Sequence, residues 1–533
     1  MNNFELVQQL VSALTELHVQ EIVVCAGARN VPIVDFLEKH NSDKTKSKNK
    51  ILVYSFFEER SAAFFALGRI KATGNPVAIV TTSGTAAVET FPAVVESFYQ
   101  GLPLIVITAD RPKSYRGSGA PQAIEQSGLF GKYCPEAVDW DANESAFSIQ
   151  FDSHKPFHFN ICFDEPLLDF SEAPFKKLYR LQTLAIKQSA FQMEPRKLNP
   201  LVIVSELGVA ERPVVIEFLK ANKLYFIAET LSGLKNNSDL KPLELSHVFY
   251  SLTNAESVRL CKDNFDSVIR IGSVPTIRLW RDLEFELKNL VVYNFSDRPF
   301  SGLSRLSRLF PFKELSRLKV SGRPNSLIEK LNANVGQTKN QLLQKFKNSE
   351  QNYFQLLSQS VKKDPLYLGN SLPIREWDEF SNTDQATQSV YANRGANGID
   401  GQISSYLGWS KDLKSSWCVI GDLTALYDLA ALTMTSGIKK GTKKRIVIMN
   451  NSGGQIFSRI FKNEKYLNGH KLNFKNWALM FGWDYVQIKQ GKDLNKINRT
   501  KNLIIEIKPD NKQTQKFTTT FKKQVADLAS LPK

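Results

Sequence analysis

The sequence predicts an α/β protein of three parallel-sheet domains, and three observations predict it. Short apolar runs alternate with stretches whose apolar residues recur at helical spacing. The runs are nearly continuous in Val, Ile and Leu, as strands buried on both faces of a parallel sheet are. The alternation falls into three series along 533 residues, and domains run to roughly 100–200 residues each.

In the first series, residues 4–17 place Phe4, Val7, Leu10, Val11, Leu14 and Leu17 on one helical face. Then come the runs 21–27 (EIVVCAG), 51–57 (ILVYSFF), 77–81 (VAIVT) and 104–108 (LIVIT), with helix-like stretches at 59–73 and 86–99. The second series has LVIVSELG from 201, LYFIAET at 224–230, SVIRIGS at 267–273 and NLVVYNF at 289–295. A polar, helix-like stretch at about 313–363 separates it from the third. The third starts near Leu366, with WCVIGD at 417–422, RIVIMNN at 445–451 and LIIEIK at 503–508. Domain boundaries are expected in the Lys187–Pro200 and Lys362–Pro365 regions, giving domains 1–186, 187–362 and 363–533.

Composition narrows the function classes. With 42% hydrophobic and 23% charged residues, the chain is neither disordered nor collagenous. No apolar run approaches the ~18 residues of a membrane span, and the first ten residues, MNNFELVQQL, lack the basic and apolar regions of a secretory signal. Five scattered cysteines without a C-x-x-C fit buried, reduced thiols in a cytoplasmic protein. Pro156, between His154 and His158, spoils a helical metal pair. The net charge of +16 invites a nucleic-acid reading. However, the basic clusters at 44–50 and 439–445 sit between apolar runs, where solvated loops belong, and no nucleic-acid motif accompanies them. No nucleic-acid partner is expected; the charge suits solubility and small anions.

Ligands of open α/β sheets bind at the carboxyl ends of strands. The residues there are Gly27–Asn30, Glu58–Arg60, Thr82–Thr85, Asp110–Pro112, Gly421–Asp422 and Asn450–Gly454. No P-loop, complete dinucleotide fingerprint or nucleophile elbow occurs. Gly421-Asp422 closes one strand and Asn450-Asn451 the next, with 26 residues, Thr424 to Met449, after Leu423. This resembles the Gly-Asp…Asn-Asn motif of thiamine diphosphate enzymes. Mg²⁺ wants six oxygens; on that pattern Asp422, Asn451 and the Gly453 carbonyl supply three, and two phosphate oxygens and a water complete the set. Thiamine enzymes also need a carboxyl group against the aminopyrimidine N1′, on a different domain. Glu59, after ILVYSFF, is in such a place. Alone, it would read as a solvated helix-start carboxylate.

The chain as a whole closely resembles the SEPHCHC synthase (MenD) family of thiamine diphosphate enzymes in menaquinone biosynthesis. The matching stretches are AGARNVP (26–32), FFEER (56–60), TTSGTAAVE (81–89), LIVITADRP (104–112), GAPQAIEQ (119–126), GNSLPIRE (369–376), NRGANGIDG (393–401), GDLTALYDLAAL (421–432) and NNSGGQIFS (450–458). The central series matches mainly at GSVPTIRLW (272–280). The resemblance implies the pyruvate-decarboxylase type of fold: pyrimidine, central and diphosphate domains, acting as a homodimer or dimer of dimers with sites at the dimer interface. It implies a transferase that decarboxylates 2-oxoglutarate and adds the succinyl carbanion in 1,4 fashion to isochorismate. Its cofactors would be thiamine diphosphate and Mg²⁺ or Mn²⁺.

The family's roles carry over by motif position. Glu59, the second residue of Glu-Glu-Arg, is the catalytic acid, chosen over Glu58. Arg29, Arg111, Gln122 and Arg278 face isochorismate. Ser371, Arg375 and Arg394 face the oxoglutarate-derived part. Thr82, Ser83, Gly84, Gly421, Asp422 and Leu423 hold cofactor, Ile399 supports its bent form, and Gln455, Ile456 and Phe457 line the site. Planar guanidinium groups suit the substrates' carboxylates. Three positions depart from the family: Ala28 for Ser, Pro121 for Asn, and Arg278 for Lys, the last keeping the charge. Two other readings are a different thiamine-dependent 2-oxo acid decarboxylase or lyase, which would need fewer arginines, and a non-catalytic basic binding protein.

Overall fold

The computed structural model describes residues 1–42, 50–144, 146–168, 175–184, 197–305, 307–382, 389–437, 441–459, 463–497 and 502–530. Most of the basic cluster at 44–50, most of the expected boundary 187–200, and Lys439 and Lys440 lie outside them. The chain forms two compact units, one of residues 1–186, 393–413 and 426–442, the other of 187–392, 414–425 and 443–533.

The first unit is built on a six-stranded sheet in the order Leu52–Phe56, Glu21–Cys25, Val77–Thr81, Leu104–Asp110, Phe157–Cys162, Val138–Trp140. Every pairing in it is parallel, so all carboxyl ends meet at one edge. Val77–Thr81 and Leu104–Asp110 are buried throughout, as continuous apolar runs require. Helix Asn3–Glu16 starts at a capping box of Asn2 and Glu5 and buries Leu6, Leu10 and Leu14. Helix Glu59–Thr73 ends on Gly74 at φ 75°, a left-handed cap that glycine adopts without strain. Helix Gln402–Ser410 lies directly against it. A Cβ on Gly68 would come within 2.1 Å of the Ser405 carbonyl oxygen, and one on Gly408 within 2.2 Å of that of Phe65, so both glycines are needed for the close approach. The helix expected at 86–99 is instead two, Thr85–Glu89 and Phe91–Gln100. Pro92 cannot donate to a continuous helix and sits where the second begins.

The second unit carries two parallel sheets. One has five strands, Phe226–Ala228, Pro200–Val204, Ser267–Ile271, Val291–Phe295 and Arg308–Phe310 in that order. The other has six, Val390–Tyr391, Leu366–Leu368, Ser415–Gly421, Lys443–Met449, Leu503–Ile507 and Asp484–Ile488. In its centre Gly421 pairs with Met449, so Asp422 and Asn450 leave the sheet side by side. The polar stretch before this sheet forms helices Ser326–Lys345 and Glu350–Val361.

The solvated loop expected at 439–445 is corrected at its carboxyl end. Lys443–Met449 is a strand, and Lys444 and Arg445 are buried in it. Arg445 stacks 4.8 Å from the Trp417 ring centroid, donates to Ser415 Oγ at 2.9 Å and lies 3.6 Å from an Asp364 oxygen. A buried guanidinium with these partners belongs to the fold. All five cysteines are buried and none forms a disulfide. Among the described residues no helix is long and apolar enough to cross a membrane.

Candidate functional site

The first unit gathers its candidates on the carboxyl edge of its sheet. Asn30, fully buried, donates to the Cys25 carbonyl at 2.8 Å and accepts the Gly27 N–H at 2.9 Å, closing the loop after strand Glu21–Cys25. A Cβ on Gly27 would lie 2.7 Å from Thr82 Cβ, so glycine lets this loop touch the Thr82–Gly84 turn. Gly84, at φ 83°, donates to the Gln126 side chain at 2.7 Å. A Cβ there would lie 3.3 Å from Gln122, itself at φ 58°. The loops bearing Gly27, Thr82, Gly84 and Gln122 therefore pack as one surface.

Two arginines point differently from one another. Arg29 is buried, donates to the Phe163 carbonyl at 3.3 Å and lies 3.6 Å from Glu165. Arg111 is half-buried, donates to the Pro121 carbonyl at 3.1 Å and sits 5.4 Å from the Tyr115 ring centroid. Pro121, a departure from the family, thus contributes through its backbone, which any residue there could supply. Ala28 lies in the short turn Ala28–Asn30.

The two adjacent glutamates are in different environments. Glu58 is the helix N-cap, and its carboxylate accepts the Ser61 N–H at 2.9 Å. Glu59 is half-buried. Burial pushes its carboxyl above the usual range against the pull of its own backbone N–H, and the nearby charges of Glu58 and Glu89 push the same way. A carboxyl so placed is suited to sharing a proton with a ring nitrogen.

The segment carrying Arg394 and Ile399 belongs to this unit. Arg394 is buried and Ile399 half-buried. Three groups that support these elements receive no role from the motifs: Gln126 and Asp428, which lie inside matched stretches, and Glu96, which lies outside them. Gln126 bridges Gly84, the Ala109 carbonyl and Asn160. Asp428, fully buried, accepts the Ser404 N–H at 2.8 Å, its hydroxyl at 2.9 Å, and the Ser61 hydroxyl at 3.3 Å. It thereby ties helix Gln402–Ser410 to the start of the Glu59 helix. For Glu96 and Asp428 the signal was a charged residue inside an otherwise apolar or small-residue stripe.

Burial pushes the Asp428 carboxyl up to about 6, against hydrogen bonds from Ser404 that pull it down. Raised in the fold and ordinary when unfolded, it adds stability below about pH 4 that is lost as pH rises through 6. Two pH units correspond to about 3 kcal/mol. Asp428→Asn should therefore flatten the dependence of unfolding free energy on pH between about 4 and 6 by that order, measured by denaturant titration. An unchanged slope would show that Asp428 titrates normally.

In the second unit the candidates meet at the paired strand ends. Asp422 is buried; one oxygen accepts the Leu423 N–H at 2.7 Å and the other the Gly453 N–H at 2.9 Å, with His470 Nε2 3.2 Å away. Burial raises its carboxyl, opposed by these backbone N–H groups and His470. Asn451 is buried and donates to Glu350 at 3.1 Å, which fixes its amide nitrogen on that side and turns its oxygen the other way. The Gly453 carbonyl accepts the Gln455 N–H at 2.8 Å, one of the two bonds a carbonyl oxygen can take. Ser452 at φ 67° and Gly453 at φ 130° make the turn, and a Cβ on Gly453 would lie 2.5 Å from the Leu467 carbonyl. This all-oxygen set of carboxylate, amide and backbone carbonyl fits a hard divalent cation. His470 and Glu350 are further residues that motif reading missed, because the fold brings them from distant segments.

A Cβ on Gly454 would lie 3.2 Å from the Phe457 ring and 3.6 Å from Leu423, so these three are neighbours. Gln455 donates to the Asn451 carbonyl at 3.3 Å, and Ile456 lies beside it in the short helix Gln455–Arg459. Gly421 has open space where a Cβ would be. Ser371, at φ 71°, precedes helix Leu372–Phe380 and accepts the Arg375 guanidinium at 2.5 Å, so this pair is held together one turn apart. Arg278 is exposed and held by Asp282 at 2.8 Å. Its loop is anchored by Glu229, which accepts the Ile277 N–H at 3.2 Å, and by Asp378, on the same helix as Arg375, which accepts the Thr276 hydroxyl at 3.4 Å.

Comparison with known proteins agrees with this chemistry. Residues 4–129 match the family described as thiamine pyrophosphate enzyme, N-terminal TPP binding domain. Three proteins, each named 2-succinyl-5-enolpyruvyl-6-hydroxy-3-cyclohexene-1-carboxylate synthase, are similar along nearly their full length. The one from Bdellovibrio bacteriovorus is 42% identical, covering 97% of this chain and 98% of its own. That from Akkermansia muciniphila is 35% identical, covering 93% and 94%, and that from Bacillus velezensis 30%, covering 88% and 87%. The chain belongs to the 2-succinyl-5-enolpyruvyl-6-hydroxy-3-cyclohexene-1-carboxylate synthase family of thiamine diphosphate-dependent enzymes.

Proposed function

We propose that the protein decarboxylates 2-oxoglutarate and joins the resulting four-carbon unit to isochorismate, a transferase step of menaquinone biosynthesis, acting as a homodimer or a dimer of dimers. The observation that carries the reading is the turn at the paired strand ends, where Asp422 grips the Gly453 N–H at 2.9 Å and Asn451 is oriented by Glu350. Asp422, Asn451 and the Gly453 carbonyl would hold Mg²⁺ or Mn²⁺ on the diphosphate. Gly421, Leu423, Gln455, Ile456 and Phe457 would surround the cofactor there. Thr82, Ser83 and Gly84 would do so from the pyrimidine domain, residues 1–186, and Ile399 from the diphosphate domain, residues 363–533, the central domain being residues 187–362. Thiamine diphosphate, when bound, supplies the electron sink for loss of CO₂.

The remaining work falls to side chains. Glu59 holds a proton against the aminopyrimidine ring. Arg29, Arg111, Gln122 and Arg278 receive isochorismate. Ser371, Arg375 and Arg394 receive the 2-oxo acid, whose carboxylates match a set of guanidinium groups. Arg375 is favoured for the distal carboxylate because it is exposed and already pre-set by its bond to the Ser371 carbonyl. Arg375→Ala should remove a charge-assisted contact of about 1.5–3 kcal/mol, or roughly 10–150-fold, in 2-oxoglutarate kcat/KM. A variant impaired only toward isochorismate would contradict this division. Binding is tested by adding thiamine diphosphate with Mg²⁺: thermal stability should rise with concentration by mass action.

A further inference from the structure

We propose that Glu96 is a positioning residue for the reaction, holding the Asn393–Asn397 loop so that Arg394 keeps one orientation; this rests on the reading that Arg394 contacts substrate. Glu96 is buried in the middle of helix Phe91–Gln100. Its carboxylate accepts three successive backbone N–H groups, from Gly395 at 2.6 Å, Ala396 at 2.8 Å and Asn397 at 3.3 Å. Gln100 donates to the same carboxylate at 2.8 Å and reaches Asn393 at 3.5 Å. The loop could not sit there with a larger residue, since a Cβ on Gly395 would lie 2.5 Å from the Glu96 carbonyl oxygen. Just past the loop, a Cβ on Gly401 would meet the Phe64 ring at 1.9 Å.

A carboxylate that costs desolvation yet spends both oxygens on one loop is a device for fixing backbone. The N–H groups it fixes follow Arg394 directly. The Arg394 guanidinium is also close enough to Glu96 for their charges to attract. Sequence spacing between the helix and the loop, about 300 residues, hid the pairing.

The test compares Glu96→Gln, Arg394→Ala and the double variant in steady-state kinetics for both substrates. Glutamine keeps the volume but must point an amide N–H at a backbone N–H. Whichever KM Arg394→Ala raises, Glu96→Gln should raise too, by about tenfold, with the other KM within about twofold. The double variant should be no worse than Arg394→Ala by more than about twofold, as coupled residues are non-additive. Gln100→Leu, which removes a donor to Glu96 and a long contact to Asn393 but leaves the three backbone N–H bonds to Glu96 in place, should move the same KM less far in the same direction. The inference is overturned if Glu96→Gln lowers only the thermal midpoint, or if the two losses multiply. If Arg394→Ala moves neither KM, the substrate role of Arg394 fails and the inference with it, a pattern distinct from a silent Glu96→Gln beside an impaired Arg394→Ala.

Discussion

Glu59→Gln is expected to bind cofactor and metal as the parent does and yet lose turnover by at least the ~10²–10⁴ of a removed acid–base group. Glutamine matches the volume and can still accept a hydrogen bond, but it cannot share a proton with a ring nitrogen. The expected loss is large because, in the proposed role, Glu59 would hold a proton against the aminopyrimidine ring, and activation of the bound cofactor would depend on that contact. Glu59 suits that task because burial holds its carboxyl above the usual range. Glu58 does not, because its carboxylate caps the helix through the Ser61 N–H at 2.9 Å. NMR of C2–H exchange on the bound cofactor should slow in step with turnover. Exchange at the parent rate would remove Glu59 from catalysis.

Asp422→Ala should abolish cofactor-dependent stabilisation while the apoprotein still folds. A ligand at 100 times its Kd stabilises by about 2.7 kcal/mol, and all of that should vanish. Asp422 both supplies a metal oxygen in the proposal and accepts the Gly453 N–H at 2.9 Å, so its removal also loosens the turn presenting Asn451 and the Gly453 carbonyl. Calorimetric titration with thiamine diphosphate and Mg²⁺ checks this directly; unchanged affinity would contradict the assignment of Asp422.

Much of the fold was legible because parallel strands buried on both faces must be continuously apolar. Val77–Thr81 and Leu104–Asp110 are unmistakable on that ground. Strands with mixed faces were not, and Phe147–Phe151, Tyr179–Thr183 and Asp484–Ile488 carry too much polar character to stand out. The helix break at Thr90 is marked by Pro92, which has no N–H to continue a helix from the preceding turn. Lys444 and Arg445 look like solvated charge until Trp417, Ser415 and Asp364 are seen around Arg445.

The candidate site divides similarly. Residues at strand ends declare themselves by position, as Asp422 and Asn451 do. Groups acting through space do not: Glu350 on Asn451, His470 beside Asp422 and Glu96 on the Arg394 loop sit in helices and loops far away in sequence. Their common trait is a polar side chain that burial makes costly unless it is bonded.

The most direct test of the account is one incubation of the protein with 2-oxoglutarate, isochorismate, thiamine diphosphate and Mg²⁺, read by mass spectrometry. A single product is expected, whose mass is the sum of the two substrates less CO₂, absent when either substrate or the cofactor is left out. Release of CO₂ from 2-oxoglutarate at the same rate without isochorismate, and with no adduct in its presence, would contradict it.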